Sequence, residues 1–344
     1  MNPLFSIVIP VYNVKDYLSE CIEAILCQRK DNDGVNDFEV ILVDDGSTDG
    51  SSKICDEYAE KYCDFVKVIH KQNEGLLLAR RTGYKNSNGE YIINCDSDDF
   101  VEKTTINDLK TAVLKYKPDV IIYNAWIYED VNFKHIMAEN IFTKDSMREI
   151  LKQDVLREYF HMYYTKSMWC KAFKRGCLDI NKDYSLFGKH GMGEDTLQSL
   201  EIYTNAKTFV YLNKPLYNYR VGSGMTSKYI ENYYEKSLKV FAEIEKVTAN
   251  WDLDDVKDGV AAEYCTMVGR AITQSRLGDL SYSKRRKQLV ALREDTYFCK
   301  YASYFDIIKS KMQRSHRIMF GLLKYRMYLL IHVMLKVKNM ALKF

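Results

Sequence analysis

Two runs of acidic side chains could do chemistry in this chain. Asp96, Ser97, Asp98 and Asp99 follow an apolar stretch at residues 91–95, and Asp44 and Asp45 follow another at 38–43 and lead into Gly46-Ser47-Thr48-Asp49-Gly50. Carboxylates this close repel one another unless a hard divalent cation or a ligand's hydrogen-bond donors hold them. A nucleoside diphosphate supplies both needs, with a cation on its phosphates and with sugar hydroxyls and a base imide that donate to acids. The plainer reading is a polar turn, because Asp, Ser and Gly are common wherever strands stop. Two such runs at two strand ends favour one shared polar crevice.

The elements before these residues must position them. Apolar runs at 5–9, 38–43, 65–69, 91–95 and 120–123 alternate with helical patterns at 17–27, 51–62, 76–87 and 106–115. Short β-rich runs divided by helices need crossover connections and predict an α/β fold with a mostly parallel sheet. In open sheets of this kind ligands bind beyond the carboxyl ends of the strands, where both acidic runs fall. Pro10 sits where the first strand is expected to stop pairing, and it can line the ligand as well. Residues 131–228 are less regular. Gly191-Met192-Gly193-Glu194-Asp195 reads as a loop feeding a helix, with two acids in its first turn, where the helix dipole also favours them. Residues 214–220 alternate with period two and carry Tyr217, Tyr219 and Arg220 ahead of Gly222-Ser223-Gly224. That last stretch can close over phosphates with its backbone N–H groups or be an ordinary solvent loop.

In order and spacing, Ser6-Ile7-Val8-Ile9-Pro10-Val11-Tyr12-Asn13, Val43-Asp44-Asp45-Gly46-Ser47-Thr48-Asp49-Gly50, Asn73-Glu74-Gly75 with Ala79-Arg80, Gly89-Glu90-Tyr91-Ile92 and Asp96-Ser97-Asp98-Asp99 resemble a family 2 glycosyltransferase of the GT-A fold. The resemblance is strong over residues 4 to about 130, continues through Gly193-Glu194-Asp195 and Tyr217-Asn218-Tyr219-Arg220, and fades after about 228. It implies direct displacement from a UDP-linked sugar, with inversion at the anomeric carbon and Mg²⁺ or Mn²⁺ held by Asp98. Asp195 would be the catalytic base, with Glu194 contacting the acceptor or orienting the loop. The donor would be met by Pro10, Asp44, Ser97 and Arg220, by Tyr12 stacking on uracil, Asp45 accepting from its imide, Arg80 near the base or diphosphate, and Asp96 on the ribose side. Trp169, in the aromatic-plus-lysine stretch 167–173, and Asp99 would meet the acceptor, although Trp169 also suits a core. One departure is Arg81, where the family often has Asn after Ala-Arg; it either alters the donor pocket or lies exposed. No Q-x-x-R-W element is present, which favours transfer of one sugar per encounter. A sugar nucleotidyltransferase would need a basic glycine-rich loop where this chain has Pro10-Val11-Tyr12-Asn13, and a catalytically silent nucleotide-sugar-binding scaffold would not need the complete acid set.

With 344 residues, 47% of them hydrophobic, the chain is long enough for a catalytic domain over 1–228, its donor half 1–130 and acceptor half 131–228, followed by a helical region 229–344. Nine cysteines include no C-x-x-C pair, and six histidines show no H-x-x-x-H spacing, so no zinc site or redox dithiol is indicated. His190 reads as a solvated loop histidine. Dinucleotide and P-loop fingerprints are missing. A reducing cytoplasm fits this cysteine usage, and the first residues show no secretory signal.

Residues 311–344 hold eight basic residues and no Asp or Glu, whereas the whole chain carries only +3, so the body is net acidic. At 100° per residue Met319, Leu322, Leu323, Leu330, Val333, Val337 and Met340 share a face opposite Arg314, Arg317, Lys324, Lys336 and Lys343, with Arg326 the exception. This predicts one basic amphipathic helix, too short in its uncharged stretch to span a bilayer, that lies on the inner face of the plasma membrane. A packing helix or a homodimer contact is the competing reading, and nucleic acid is not expected beside an acidic body. The partners expected are thus a nucleotide-sugar donor, a glycan or lipid-linked acceptor in cell-surface polysaccharide synthesis, and that membrane surface.

Overall fold

The computed structural model describes residues 2–29, 37–130, 133–187, 192–222, 229–278 and 280–341. In chain order the elements are β1 (Phe5–Val11), α1 (Lys15–Leu26), β2 (Phe38–Asp44), α2 (Ser51–Lys61), β3 (Val66–His70), α3 (Leu76–Lys85), β4 (Tyr91–Asn94), β5 (Phe100–Val101), α4 (Thr105–Tyr116), β6 (Val120–Asp130), β7 (Phe133–Ile136), β8 (Met147–Ile150), α5 (Lys152–His161), α6 (Tyr163–Lys166), β9 (Lys171–Lys174), α7 (Glu194–Asn205) and β10 (Phe209–Arg220). Helices α8 (Tyr233–Thr248), α9 (Val256–Gln274), α10 (Tyr282–Glu294), α11 (Thr296–Tyr301), α12 (Phe305–Ile308), α13 (Arg314–Lys324) and α14 (Tyr328–Ala341) follow. The chain divides into two compact units, Met1–Val155 with Tyr164–Ser223, and Leu156–Tyr163 with Gly224–Phe344. The boundary expected at 228 falls at the end of a segment, 223–228, outside the described residues.

The first unit is built on one mixed sheet in the order β3-β2-β1-β4-β9-β6-β10-β5, with β7 added to β6 and β8 to β10. β1, β2, β3 and β4 pair in parallel, as do β6 and β10. β9 enters antiparallel between β4 and β6. Every residue of β1 and β2 is buried, which is why both read as continuous apolar runs rather than alternating ones. β6 runs well beyond the expected 120–123 because its second half pairs with β7, from Trp126 opposite Ile136 to Asp130 opposite Phe133.

Pro10 does not stop the first strand. Its Cα stays in register with Val43, and Val11 with Asp44. The carbonyl of Val8 accepts from the Cys95 N–H, so Pro10, two residues on, turns its missing donor toward the same side, just past the last β1–β4 pair at Val8 and Asn94. A proline costs no ladder bond there.

Close packing sets α3 on the sheet. A Cβ on Gly83 would lie 2.3 Å from Cγ1 of Val8, which is fully buried in β1. Only glycine lets α3 approach so near, and α3 carries a key side chain of the site described below.

The second unit is helical. Phe241 on α8 packs on Tyr264 of α9 and Tyr301 of α11, with ring centroids 5.1 and 5.5 Å away. The tail differs from expectation. It is two helices rather than one, because Arg326 takes a left-handed φ of 61° between α13 and α14. Arg326 is also the residue that broke the helical face in the sequence. The apolar face therefore splits: Met319 and Leu323 are buried, whereas Leu330, Val333 and Val337 are exposed. The side chain of Met340, and Lys343, lie outside the described residues. Among the described residues no helix is long and apolar enough to cross a membrane.

Gly83→Ala should lower stability although alanine is the better helix former by about 1 kcal/mol, because overpacking a filled core costs about 1–3 kcal/mol. A urea midpoint at or above that of the parent protein would show that β1 and α3 have slack.

Candidate active site

The site is assembled around α3. Asp45, at the end of β2, is buried and accepts from the N–H groups of Glu74 (3.0 Å) and Gly75 (2.8 Å), with Lys71 Nζ at 3.4 Å. Gly75 caps α3, so the carboxylate sits where unpaired N–H groups and the helix dipole favour a negative charge. Five residues along α3, the fully buried guanidinium of Arg80 donates from Nη1 to Asp195 Oδ1 (2.5 Å) and from Nη2 to Asp96 Oδ1 (2.7 Å). Arg80 thus ties the acidic turn after β4 to the first turn of α7, 115 residues away in sequence.

Charges here are strongly perturbed. Burial would make the Arg80 guanidinium easier to deprotonate, but Asp96 and Asp195 outweigh it and hold the cation firmly. Burial raises the pKa of Asp96, Arg80 pulls it back, and Asp195 adds to the rise. Glu194, whose Oε2 has no hydrogen-bond partner among the described residues, is pushed up to about 7 by burial first and Asp195 second. Asp99 is raised well above the usual carboxylate range by burial and then by Asp98 and Asp96. A strongly negative strand end of this kind is where a cation or hydrogen-bond donors gain most.

Tyr217 holds the turn in shape. Its buried hydroxyl accepts from the Asp96 N–H (3.0 Å) and donates to Asp99 Oδ2 (2.8 Å), while Arg220 N–H donates to Asp99 Oδ1 (2.7 Å). Asp99, expected at the acceptor, is a buried residue with both oxygens engaged. Asp98 is half-buried at the apex and Ser97 is buried. Arg220 is held by Glu20 (2.6 Å) and the Asp98 carbonyl (2.9 Å), over the rings of Tyr17, Tyr128 and Phe100.

Several other expected residues serve the walls. Asp44 accepts from Ser47 N–H, Ser52 Oγ and His70 Nδ1, and these bonds outweigh its burial and lower its pKa. Ser47 and Asp49 receive the N–H groups of Asn13 and Lys15, which knits the loop after β2 to the turn after β1. Gly46 allows this at φ 78°, where an added Cβ would lie 3.0 Å from the Asn73 nitrogen. Tyr12, on the same turn, is 50% exposed and Pro10 is buried beneath it in β1. Trp169 is a buried ring stacked on Tyr217 (4.9 Å between centroids) and on Tyr219 (5.6 Å), so Tyr219, 37% exposed, presents the open end of that stack. Arg81 does not lie exposed. It is buried against Glu201 (3.3 Å), the Asp179 carbonyl and the face of Tyr184. His190, Gly191, Ser223 and Gly224 lie outside the described residues.

Sequence reasoning gave no role to two residues. The hydroxyl of Tyr217 was signalled only by the period-two pattern that puts it on one face with Tyr219. Lys171 in β9 is completely buried, donates to the Ser167 carbonyl, and has its pKa lowered by burial against the pull of Cys170 and Asp195. An aromatic-plus-lysine stretch was visible, but not that the lysine would be inside.

The profile of Glycosyl transferase family 2 matches residues 6–176. The glycosyltransferase GlyG of Streptococcus pneumoniae is 32% identical over 70% of this chain and 79% of its own length. The chain belongs to glycosyl transferase family 2. The glycosyltransferase GlyA of the same species is 27% identical over 82% of this chain, which spans only 40% of GlyA. Residues 1–349 of Staphylococcus aureus TarS superpose with a TM-score of 0.66 at 20% identity, covering 99% of this chain and 92% of that one. The same protein has been solved with UDP-GlcNAc, with a TM-score of 0.61. The family and this likeness make the fold GT-A.

His70 also contacts Asp56 (2.9 Å), and its bonds to Asp44 and then Asp56 raise its pKa above 6.5. A raised folded value means that its stabilisation is complete below 6.5 and fades as pH rises through the raised value. The ring is 44% exposed, which limits the effect to no more than about 1 kcal/mol. His70→Gln should therefore lower the urea midpoint on the acid side of that window and leave it unchanged on the alkaline side. An equal loss on both sides would remove the charge from the account.

Proposed function

We propose that the chain transfers a single sugar from a UDP-linked donor to a hydroxyl of a glycan or lipid-linked acceptor in cell-surface polysaccharide synthesis, with inversion at the anomeric carbon. The observation that carries the reading is the buried Arg80, which holds Asp96 of the acidic turn and Asp195 of α7 on one guanidinium. A donor-side acid and a base are thereby fixed in one site. The solved complex of TarS with UDP-GlcNAc, a protein of the same fold, supports a uridine nucleotide sugar as donor. The catalytic domain would be residues 1–228, with the donor met by 1–130 and the acceptor by 131–228. Nine free cysteines suit a reducing cytoplasm.

Asp195 takes the proton of the acceptor hydroxyl as its oxygen bonds to the anomeric carbon, and the donor's bond to phosphate oxygen breaks with its electron pair leaving on UDP. Glu194, whose carboxyl is pushed up to about 7 by burial and by Asp195, sits beside it. Arg80 fixes the orientation of the base. Tyr12 offers an exposed ring to the uracil and Tyr219 one to a sugar.

The donor set suits Mg²⁺ or Mn²⁺. No cage of three or more ligands exists among the described residues, yet Mg²⁺ in phosphate sites is commonly held by one or two carboxylates, with phosphates and water completing the shell. Asp98, at the apex of the acidic turn, would hold it. The ion would supply charge to the diphosphate as the leaving group becomes more negative.

Asp195→Asn should keep UDP-sugar affinity and lose about 10²–10⁴ in turnover, the usual scale of general-base help. Asp98→Asn should lose metal-dependent UDP affinity as well as transfer, with an unchanged urea midpoint. Release of UDP without pyrophosphate separates sugar transfer from nucleotidyl transfer. Normal turnover in either variant would sink that residue's role, and equal loss of donor affinity in Asp195→Asn would move it to the donor site.

A further inference from the structure

The second unit carries an exposed apolar surface on its last helix. On α14, Ile331 and Leu335 face inward and are buried, whereas Leu330, Val333 and Val337 form an exposed stripe one turn apart. Met327 and Leu329 extend it toward the turn, at 45% and 60% exposure. Apolar surface this continuous is unusual on a solvent face.

The neighbouring helix α10 supplies the charge. Arg285 donates from Nη1 to His332 on α14 (2.8 Å), and the ring of Tyr282 packs on that histidine at 5.4 Å, so the two helices are fixed side by side. Lys284, Arg286 and Lys287 are exposed on α10, and the Arg286 guanidinium lies 5.9 Å from the ring of Tyr328. Arg326 is exposed at the turn. The sequence has no Asp or Glu from Leu280 to Arg293, and none after Asp306.

We infer that the outer face of α14, edged by the basic run of α10, is a docking surface for an anionic lipid bilayer. Leu329, Leu330, Val333 and Val337 enter the acyl boundary, and Lys284, Arg286, Lys287 and Arg326 meet the phosphates of acidic lipids. Charge decides between occupants. A second copy meeting this face would bring the same basic, carboxylate-free segments and nothing to neutralise the cations, whereas an acidic bilayer neutralises them. The surface thus differs from the single amphipathic helix expected over 311–344: half of that helix's apolar face is interior, and much of the cationic edge comes from residues 284–287. The inference does not depend on the sugar-transfer reading.

The test is co-sedimentation of the full chain with phosphatidylcholine vesicles, with and without phosphatidylglycerol, at low and high salt. Binding is expected only with phosphatidylglycerol and should weaken with salt. The variant K284E/R286E/K287E should lose at least about fivefold per altered charge, corresponding to about 1 kcal/mol each. L330S/V333S should bind more weakly at both salt concentrations. All five altered positions are exposed, and an unchanged urea midpoint confirms that each variant is folded. Failure of the parent protein to bind acidic vesicles at low salt, or unaltered binding of the charge variant, would overturn the proposal. So would light scattering that shows a dimer dissociated by L330S/V333S.

Discussion

A guanidinium taken fully out of water costs several kcal/mol unless carboxylates and hydrogen bonds compensate it, and most of this molecule's first unit is arranged to do that for Arg80. Asp96 and Asp195 are the compensation. The constraint runs in both directions, since without Arg80 two half-buried acids and Glu194 would face one another. The position of Arg80 follows from α3, which is set against β1 by Gly83 and started by Asp45 on Gly75. One buried cation therefore links the end of β2, the end of β4 and the start of α7.

The acidic clusters divide their labour. Asp44, Asp45, Asp49 and Asp99 accept bonds from backbone N–H groups and build loops. Asp96, Asp98, Glu194 and Asp195 form the group proposed to do chemistry. Residue type alone does not distinguish the two sets, because a carboxylate that organises a loop and one that binds a ligand look alike in sequence. What separates them is the identity of the donors, here mainly the chain's own N–H groups.

Much of the first unit was legible in advance because buried parallel strands read as unbroken apolar runs and their crossover helices keep a 3.6 period. The first four strands and four helices lie within two residues of expectation. β5, β7, β8 and β9 were not visible, since strands of two to four residues carry little pattern and their partners are distant in sequence. For the same reason the burial of Arg81 was not legible: its partner Glu201 is 120 residues away, and no local signal shows that both will be buried. The tail failed for another reason. A helical wheel assumes an unbroken helix, and the left-handed turn at Arg326 reset the phase. The four-residue basic run at 284–287 was plain in the sequence, but only the packing of α10 beside α14 makes it part of a surface.

The central claim is that Arg80 and Asp195 act as one unit, and a double-mutant cycle on unfolding free energy reads this directly. Arg80→Met should be severely destabilising in the parent protein, on the scale of about 3–5 kcal/mol for a broken buried pair, and markedly less so in Asp195→Asn, where one of the two opposed acids is gone. The account predicts a coupling of about 1–3 kcal/mol. A coupling indistinguishable from zero would mean that Arg80 does not hold Asp195, and the link between the acidic turn and the proposed base would be lost.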